Sequence, residues 1–155
     1  MKYKLDNGKY FLIDKIDFER VSKLKWYIVK YKDRKTNYVM SNKKISVHRF
    51  ILSAPSNFQV DHINKNGLDN RRCNIRICTT SENAFNKNKY KNNTSGFKGV
   101  FRRVEKGKVG SWYAQIFAKG KKYRSYGHKN KESAALAYNK LAKNYHGSFA
   151  VLNKI

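Results

Sequence analysis

Asp61 and His62 stand side by side between the apolar Val60 and Ile63, and an amide, Asn83, follows a second short apolar run. A carboxylate and an amide oxygen are hard ligands, suited to Mg²⁺ or Mn²⁺, ions that keep several waters and accept phosphate oxygens as further ligands. An imidazole next to the carboxylate can take a proton from water, because its ordinary pKa lies near neutrality. Together these groups imply metal-assisted hydrolysis of a phosphodiester. An Asp-His pair ahead of an Asn/Gly-rich segment is also a common turn entry, its side chains satisfying backbone groups. For the pair alone that second reading is the commoner one.

The elements that would position these groups lie between Phe58 and Asn83. A short strand carries Asp61-His62, a turn-rich segment follows (Asn64, Asn66, Gly67, Asp69, Asn70), and a second strand runs Asn74-Ile75-Arg76-Ile77-Cys78. Thr79 and Glu82 have the form of a capping box, which places Asn83 in the first turn of a helix, facing back toward Asp61 and His62. The run VDHINKNGLDNRRCNIRICTTSEN resembles the catalytic motif of HNH endonucleases, in the phage and intron-encoded homing-type branch. The resemblance implies that Asp61 and Asn83 bind one divalent metal, that His62 is the general base and that Asn74 braces the motif loop. The final position of the motif is Asn83 rather than His. Arg49, in the His48-Arg49 pair upstream, offers a planar fork for a phosphate, and Arg71, Arg72 and Arg76 within the motif would grip the duplex around the cut. His48 is expected near the site in a packing or hydrogen-bonding role.

Composition points to the same partner. Lys and Arg outnumber Asp and Glu 35 to 10, for a formal net charge of +25 in 155 residues. A surface of that kind binds polyanions by releasing counterions, and an aromatic content of 14% argues for a folded chain rather than a basic tail. Duplex DNA is the expected partner, with neither a membrane nor a small-molecule cofactor. No apolar run approaches the roughly 18 residues of a spanning helix, and the first residues do not read as a signal peptide, so a soluble, cytoplasmic protein is expected. Cys73 and Cys78 form no CxxC, which excludes a four-cysteine zinc site and leaves reduced thiols in the core or at its rim.

The expected fold class is α+β in two parts: residues 1–85 as the nuclease domain, a basic linker at 86–94, and a DNA-binding domain at 95–155. In the first part Tyr10–Ile13 reads as a strand, Phe18, Val21 and Leu24 as a short helix, and Tyr27–Val29 and Tyr38–Met40 as strands of a small antiparallel scaffold. Lys30, Lys32, Arg34 and Lys35 are possible phosphate contacts, and Val47–Leu52 reads as a short helix or a strand. The segment NKNKYKNNTS has almost no apolar residues and is expected to be extended. Beyond it, strands are expected around Lys98–Arg103, Ser111–Ala118 and Lys122–Tyr126, with turns at Gly107, Gly110 and Gly120. A helix through Ala134, Tyr138, Leu141 and Tyr145 should stop at Gly147, with Phe149 and Leu152 closing the apolar layer.

Gly96-Phe97-Lys98-Gly99-Val100, Trp112 to Ile116, Ala134 to Tyr138 and His146-Gly147 with Leu152-Asn153 resemble the DNA-binding domain of plant ethylene-response factors. The resemblance implies a three-stranded sheet whose outer face enters the major groove, with the helix behind it. Strand alternation then turns Trp112, Ala114 and Ile116 inward and Tyr113, Gln115 and Phe117 outward, with Lys98, Phe101 and Arg103 outward on the first strand. Aligned on Gly127, the third strand has Tyr123 and Ser125 outward and Arg124 inward, unless a slip turns Arg124 outward. Lys98, Arg102, Arg103, Tyr113, Gln115 and Arg124 are the expected DNA contacts of this part. Few outward arginines remain for bidentate guanine contacts, so A·T-tolerant recognition is expected. Two alternatives stay open: a non-catalytic DNA-binding protein on a nuclease scaffold, and a basic RNA-binding protein. Nick or double-strand break, and monomer or dimer, stay open as well.

Overall fold

The computed structural model describes residues 1–30 and 36–155. Of the expected phosphate contacts, Lys32, Arg34 and Lys35 lie outside the described residues. The fold is mixed α+β, built from small antiparallel sheets and short helices, and the chain divides into two compact units, 1–83 and 84–155.

The first unit opens on a hairpin that the sequence reading only half identified: β1 (Lys2–Lys4) pairs with β2 (Tyr10–Leu12). Helix α1 (Phe18–Ser22) is a single turn and a half, closed by the indole of Trp26, whose Nε1 donates to the Val21 carbonyl at 2.7 Å. Strands β3 (Trp26–Val29) and β4 (Tyr38–Ser41) form the second hairpin. The segment Val47–Leu52 is a helix, α2. Its buried residues Val47, His48 and Ile51 fall at helical spacing, which places one face on the core formed by Phe11, Ile13, Val21 and Val39.

Strands β5 (Gln59–His62) and β6 (Ile75–Cys78) pair with Asp61 opposite Arg76 and His62 opposite Ile75. Helix α3 (Thr80–Phe85) follows at once. The capping box forms as the sequence implies: Glu82 Oε2 accepts from the Thr79 amide at 2.7 Å, and Thr79 Oγ1 accepts from the Glu82 amide at 3.2 Å. Cys78 is buried in the hairpin and Cys73 is exposed, and neither is in a disulfide.

The second unit is a three-stranded antiparallel sheet, β7 (Val100–Glu105), β8 (Lys108–Ala118) and β9 (Lys121–His128), backed by α4 (Lys131–His146). Lys106-Gly107 and Lys119-Gly120 both carry consecutive positive φ values, the geometry of two-residue hairpin turns. Gly110, expected at a turn, lies inside β8 instead, because the Lys106-Gly107 turn already closes the ladder at Glu105 and Lys108. Asn130 caps α4, its Oδ1 accepting from the Ser133 amide at 2.8 Å, and Gly147 ends it. Ala134, Ala135 and Ala142 let the helix lie close on Val100, Ala114 and Ile116. Leu152, expected in this layer, is exposed, and Ala150 packs there in its place.

One register left open is decided, and one expectation changes. Arg124 points outward and Tyr123 inward, stacked on Tyr145 with ring centroids 4.0 Å apart. The register explains it: Ala114 faces Ser125 but Trp112 faces His128, so β9 carries an extra residue beside Gly127. Counting alternation back from Gly127 crosses that bulge and reverses every side chain before it. The segment from Asn86 to Ser95 is likewise not simply extended. Asn86 and Ser95 are buried, and Asn93 folds the chain over, accepting from the Gly96 amide at 2.7 Å and donating to the Phe97 carbonyl at 2.8 Å. Polar side chains do there what an apolar core would do elsewhere.

Gly99 sits at φ +67, and a Cβ there would run into the ring of Tyr138 and lie 2.7 Å from the Gln115 carbonyl oxygen. Gly99→Ala should therefore destabilise the chain by about 2 kcal/mol or more. Chemical denaturation read by circular dichroism checks this, with Gly107→Ala, where a Cβ meets nothing within 4 Å, as the milder comparison.

Candidate active site

The loop between β5 and β6 is held from beneath. Its backbone runs beside β2, with the Leu12 amide donating to the Leu68 carbonyl at 2.8 Å and the Asn70 amide to the Leu12 carbonyl at 2.8 Å. Asn70 is fully buried, and its Nδ2 donates to the Gly67 carbonyl at 3.3 Å. That bond turns the amide oxygen toward His62, whose Nε2 lies 3.0 Å from it. An amide oxygen only accepts, so Nε2 carries the proton and the lone pair of the imidazole sits on Nδ1. Sequence reasoning missed Asn70 as the group that orients His62. The only available signal was the density of Asn and Asp in the loop, which does not say which of them is buried.

Asn74 spans the loop. Its Oδ1 accepts from the Asn64 amide at 3.0 Å and its Nδ2 donates to the Asp69 carbonyl at 2.7 Å, joining the two ends of the turn. Asp69 is itself buried, receives the Asn64 side chain at 2.9 Å and is gripped by Arg71. The Arg71 guanidinium holds the Asp69 carboxyl below its usual range.

Strand alternation sets Gln59 and Asp61 on one face of β5 and Val60 and His62 on the other. Asn83 joins the first group, its Nδ2 donating to Gln59 Oε1 at 2.6 Å, which leaves its carbonyl oxygen turned away from Gln59. Asp61, buried, receives two bonds from Arg76, Nε at 3.0 Å and Nη2 at 2.8 Å to the same oxygen. His62 belongs to the second group, with His48 at 5.0 Å and Tyr38 at 6.0 Å between ring centroids. An open cleft of about 680 Å³ is lined by residues of both groups, among them Tyr38, His48, Arg49, Gln59 and Asn83.

The remaining arginines are engaged as well. Arg49 donates to the carbonyls of Phe58, Ala54 and Pro55, tying α2 to the start of β5. Arg72 holds buried Asp17 through Nε and Nη2, at 2.9 and 2.7 Å, and its backbone amide donates to Asp14. In the second unit Lys98 caps the carbonyls of Phe85 and Lys87, and Arg103 pairs with Glu105. Arg102 lies over the Trp112 ring, while Arg124 donates to Gln115 and to Tyr126. Phe101, Tyr113 and Tyr126 stand in a row across the outer face, 5.5 Å from ring to ring.

Among the described residues no three His, Cys, Asp or Glu side chains gather as a metal centre. A cation here would rest on one carboxylate, with an amide oxygen, water and phosphate completing its shell. That is the donor set Mg²⁺ tolerates and Zn²⁺ does not.

A sequence profile described as HNH endonuclease matches residues 53–85, the span from the end of α2 through α3. An uncharacterized HNH endonuclease, L560 of Acanthamoeba polyphaga mimivirus, is 34% identical over 143 residues, covering 87% of this chain and 70% of that protein. The chain belongs to the HNH endonuclease family. Protein 3.8 of Escherichia phage T7 is 31% identical over 96 residues, covering 62% of this chain and 76% of that one. No solved structure matches. In this member of the HNH family, as in the sequence reading, the matched stretch is the strand, loop, strand and helix around Asp61, His62, Asn74 and Asn83. No helix among the described residues is long and apolar enough to cross a membrane.

Burial lowers the pKa of His48 to about 3, and the neighbouring His62 and Arg49 push it the same way. Burial also lowers His62, opposed by its bond to Asn70 and by Asp61 and Asp69. Both imidazoles are therefore neutral at neutral pH, the form a general base requires. An unfolded imidazole takes its proton at about pH 6.5, whereas folded His48 resists until about pH 3. Stability should be level above about pH 6.5 and fall as the pH drops below it, because there the unfolded chain binds the extra protons. Denaturation midpoints measured between pH 7.5 and 4.5 check the sign, and His48→Gln should give the shallower slope.

Proposed function

We propose that the chain is a metal-dependent endonuclease of the homing-type branch that hydrolyses a phosphodiester bond in duplex DNA. The observation that carries this reading is His62 held by fully buried Asn70, because a bond from Nε2 fixes the tautomer that leaves Nδ1 basic. His62 takes a proton from the attacking water, and Asn74 keeps the loop that carries Asn70 in register with β5. Asp61 and the Asn83 carbonyl oxygen would hold the ion. When bound, Mg²⁺ or Mn²⁺ stabilises the charge that builds on the phosphate and the departing oxygen. The linker residues and the C-terminal sheet, the latter in the manner of an ethylene-response-factor domain, anchor the chain on DNA. The net charge of +25 supports that role, and from residue 84 onward Glu105 and Glu132 are the only acids.

A second reading, a DNA-binding protein that keeps the nuclease fold without cutting, is favoured by one observation. His62 and Asp61 occupy opposite faces of β5 by strand alternation, and Asp61 is engaged by Arg76. Nicking of supercoiled plasmid with Mg²⁺ separates the two. His62→Ala should lower the nicking rate by about a hundredfold or more, with binding of uncut duplex retained. Equal rates in both proteins remove the assigned base, and no nicking by either supports the scaffold reading.

A further inference from the structure

Three arginines in the motif each hold an aspartate, but the three pairs are not equivalent. Arg72 reaches Asp17, which lies just ahead of α1, and so ties the loop to the scaffold, whereas Arg71 grips Asp69 and closes the loop on itself. Arg76 alone is directed at Asp61, the carboxylate proposed above as the metal ligand. Asp61 and Arg76 face each other across the β5–β6 ladder, and the bonds from Arg76 Nε and Nη2 converge on Oδ2. Side-chain exposure is 7% for Asp61 and 16% for Arg76, so the pair is well shielded from water. Charge-assisted bonds of that length in that setting are among the stronger ones a side chain makes.

Resting on the metal-ligand reading of Asp61, we infer that Arg76 is a resident counter-cation which keeps Asp61 from binding metal until DNA arrives. A divalent ion and a guanidinium compete for the same carboxylate, since seating both puts three positive charges against one negative charge. A DNA phosphate resolves the competition. It offers the planar guanidinium an alternative anionic partner, so that Arg76 moves from Asp61 to the phosphate, which would leave Oδ2 of Asp61 available to hold the ion. Metal and DNA then bind cooperatively, each raising the affinity of the other by the same factor. Arg76 is a positioning residue in this account, and the chain without DNA holds metal weakly.

The test is a titration of the full chain with Mn²⁺, free ion being read by electron paramagnetic resonance, in the absence of DNA. Arg76→Gln should bind Mn²⁺ more tightly than wild type by roughly tenfold or more, whereas Arg76→Lys, which keeps the charge, should stay near wild type. Equal or weaker binding by Arg76→Gln overturns the inference. Asp61→Asn placed in the Arg76→Gln background should abolish the gain. If it leaves the affinity unchanged, Asp61 is not a ligand, and the reading beneath the inference fails separately from it. The wild-type chain gives a second measurement that needs no variant. Adding a hydrolysis-resistant phosphorothioate duplex should raise its Mn²⁺ affinity by roughly tenfold or more, and no change would overturn the cooperativity.

Discussion

The structure of the first unit depends on satisfying a buried loop made almost wholly of polar residues. Between Ile63 and Asn74 the chain has little apolar surface to bury, yet Asp69, Asn70 and Asn74 lie inside the protein. A buried amide or carboxylate without partners costs more than most single contacts return, so each must find donors and acceptors. Here they find one another and the backbone: Asn74 spans Asn64 and Asp69, Asn70 spans Gly67 and His62, and Asp69 spans Asn64 and Arg71. The main chain of β2 completes the set by exchanging bonds with Leu68 and Asn70. The N-terminal hairpin is thus the floor of the site, and the orientation of His62 follows from it.

Charge is arranged with the same economy. The chain has few acids, and the first unit uses Asp17, Asp61 and Asp69 as buried anchors for arginines. Breaking such a pair leaves an uncompensated buried charge, so these contacts fix positions more than they add net stability. The excess of lysines is left for the surface, where it attracts a polyanion without specifying sequence. In the second unit the outer sheet face offers aromatic edges and mutually bonded polar groups, Arg124 with Gln115 and Tyr126, rather than unengaged guanidinium forks.

Much of this was legible beforehand where one residue type at one spacing has one physical meaning. The Thr79–Glu82 capping box, the inward set Trp112, Ala114 and Ile116, and the α4 face with its stop at Gly147 follow from rules of that kind. Failures came where a local rule was counted across an irregularity. A bulge beside Gly127 settles the register that alternation had left open and turns Arg124 outward, the Lys106-Gly107 turn moved Gly110 into a strand, and polar side chains of the supposed linker bond to nearby backbone.

By itself the sequence determined the types and order of the polar groups in the motif, the elements that carry them and the excess of positive charge. Those depend on side-chain chemistry, period and total charge, all of which are local or additive. Only the tertiary structure decided which groups meet: that Asn70 rather than a carboxylate orients His62, that Arg76 occupies Asp61, and that Arg49 and Arg72 hold the scaffold. A buried polar side chain takes whichever partner the fold brings within about 3 Å, and that choice is made by residues distant in sequence, such as Leu12 for Asn70 and Asp17 for Arg72.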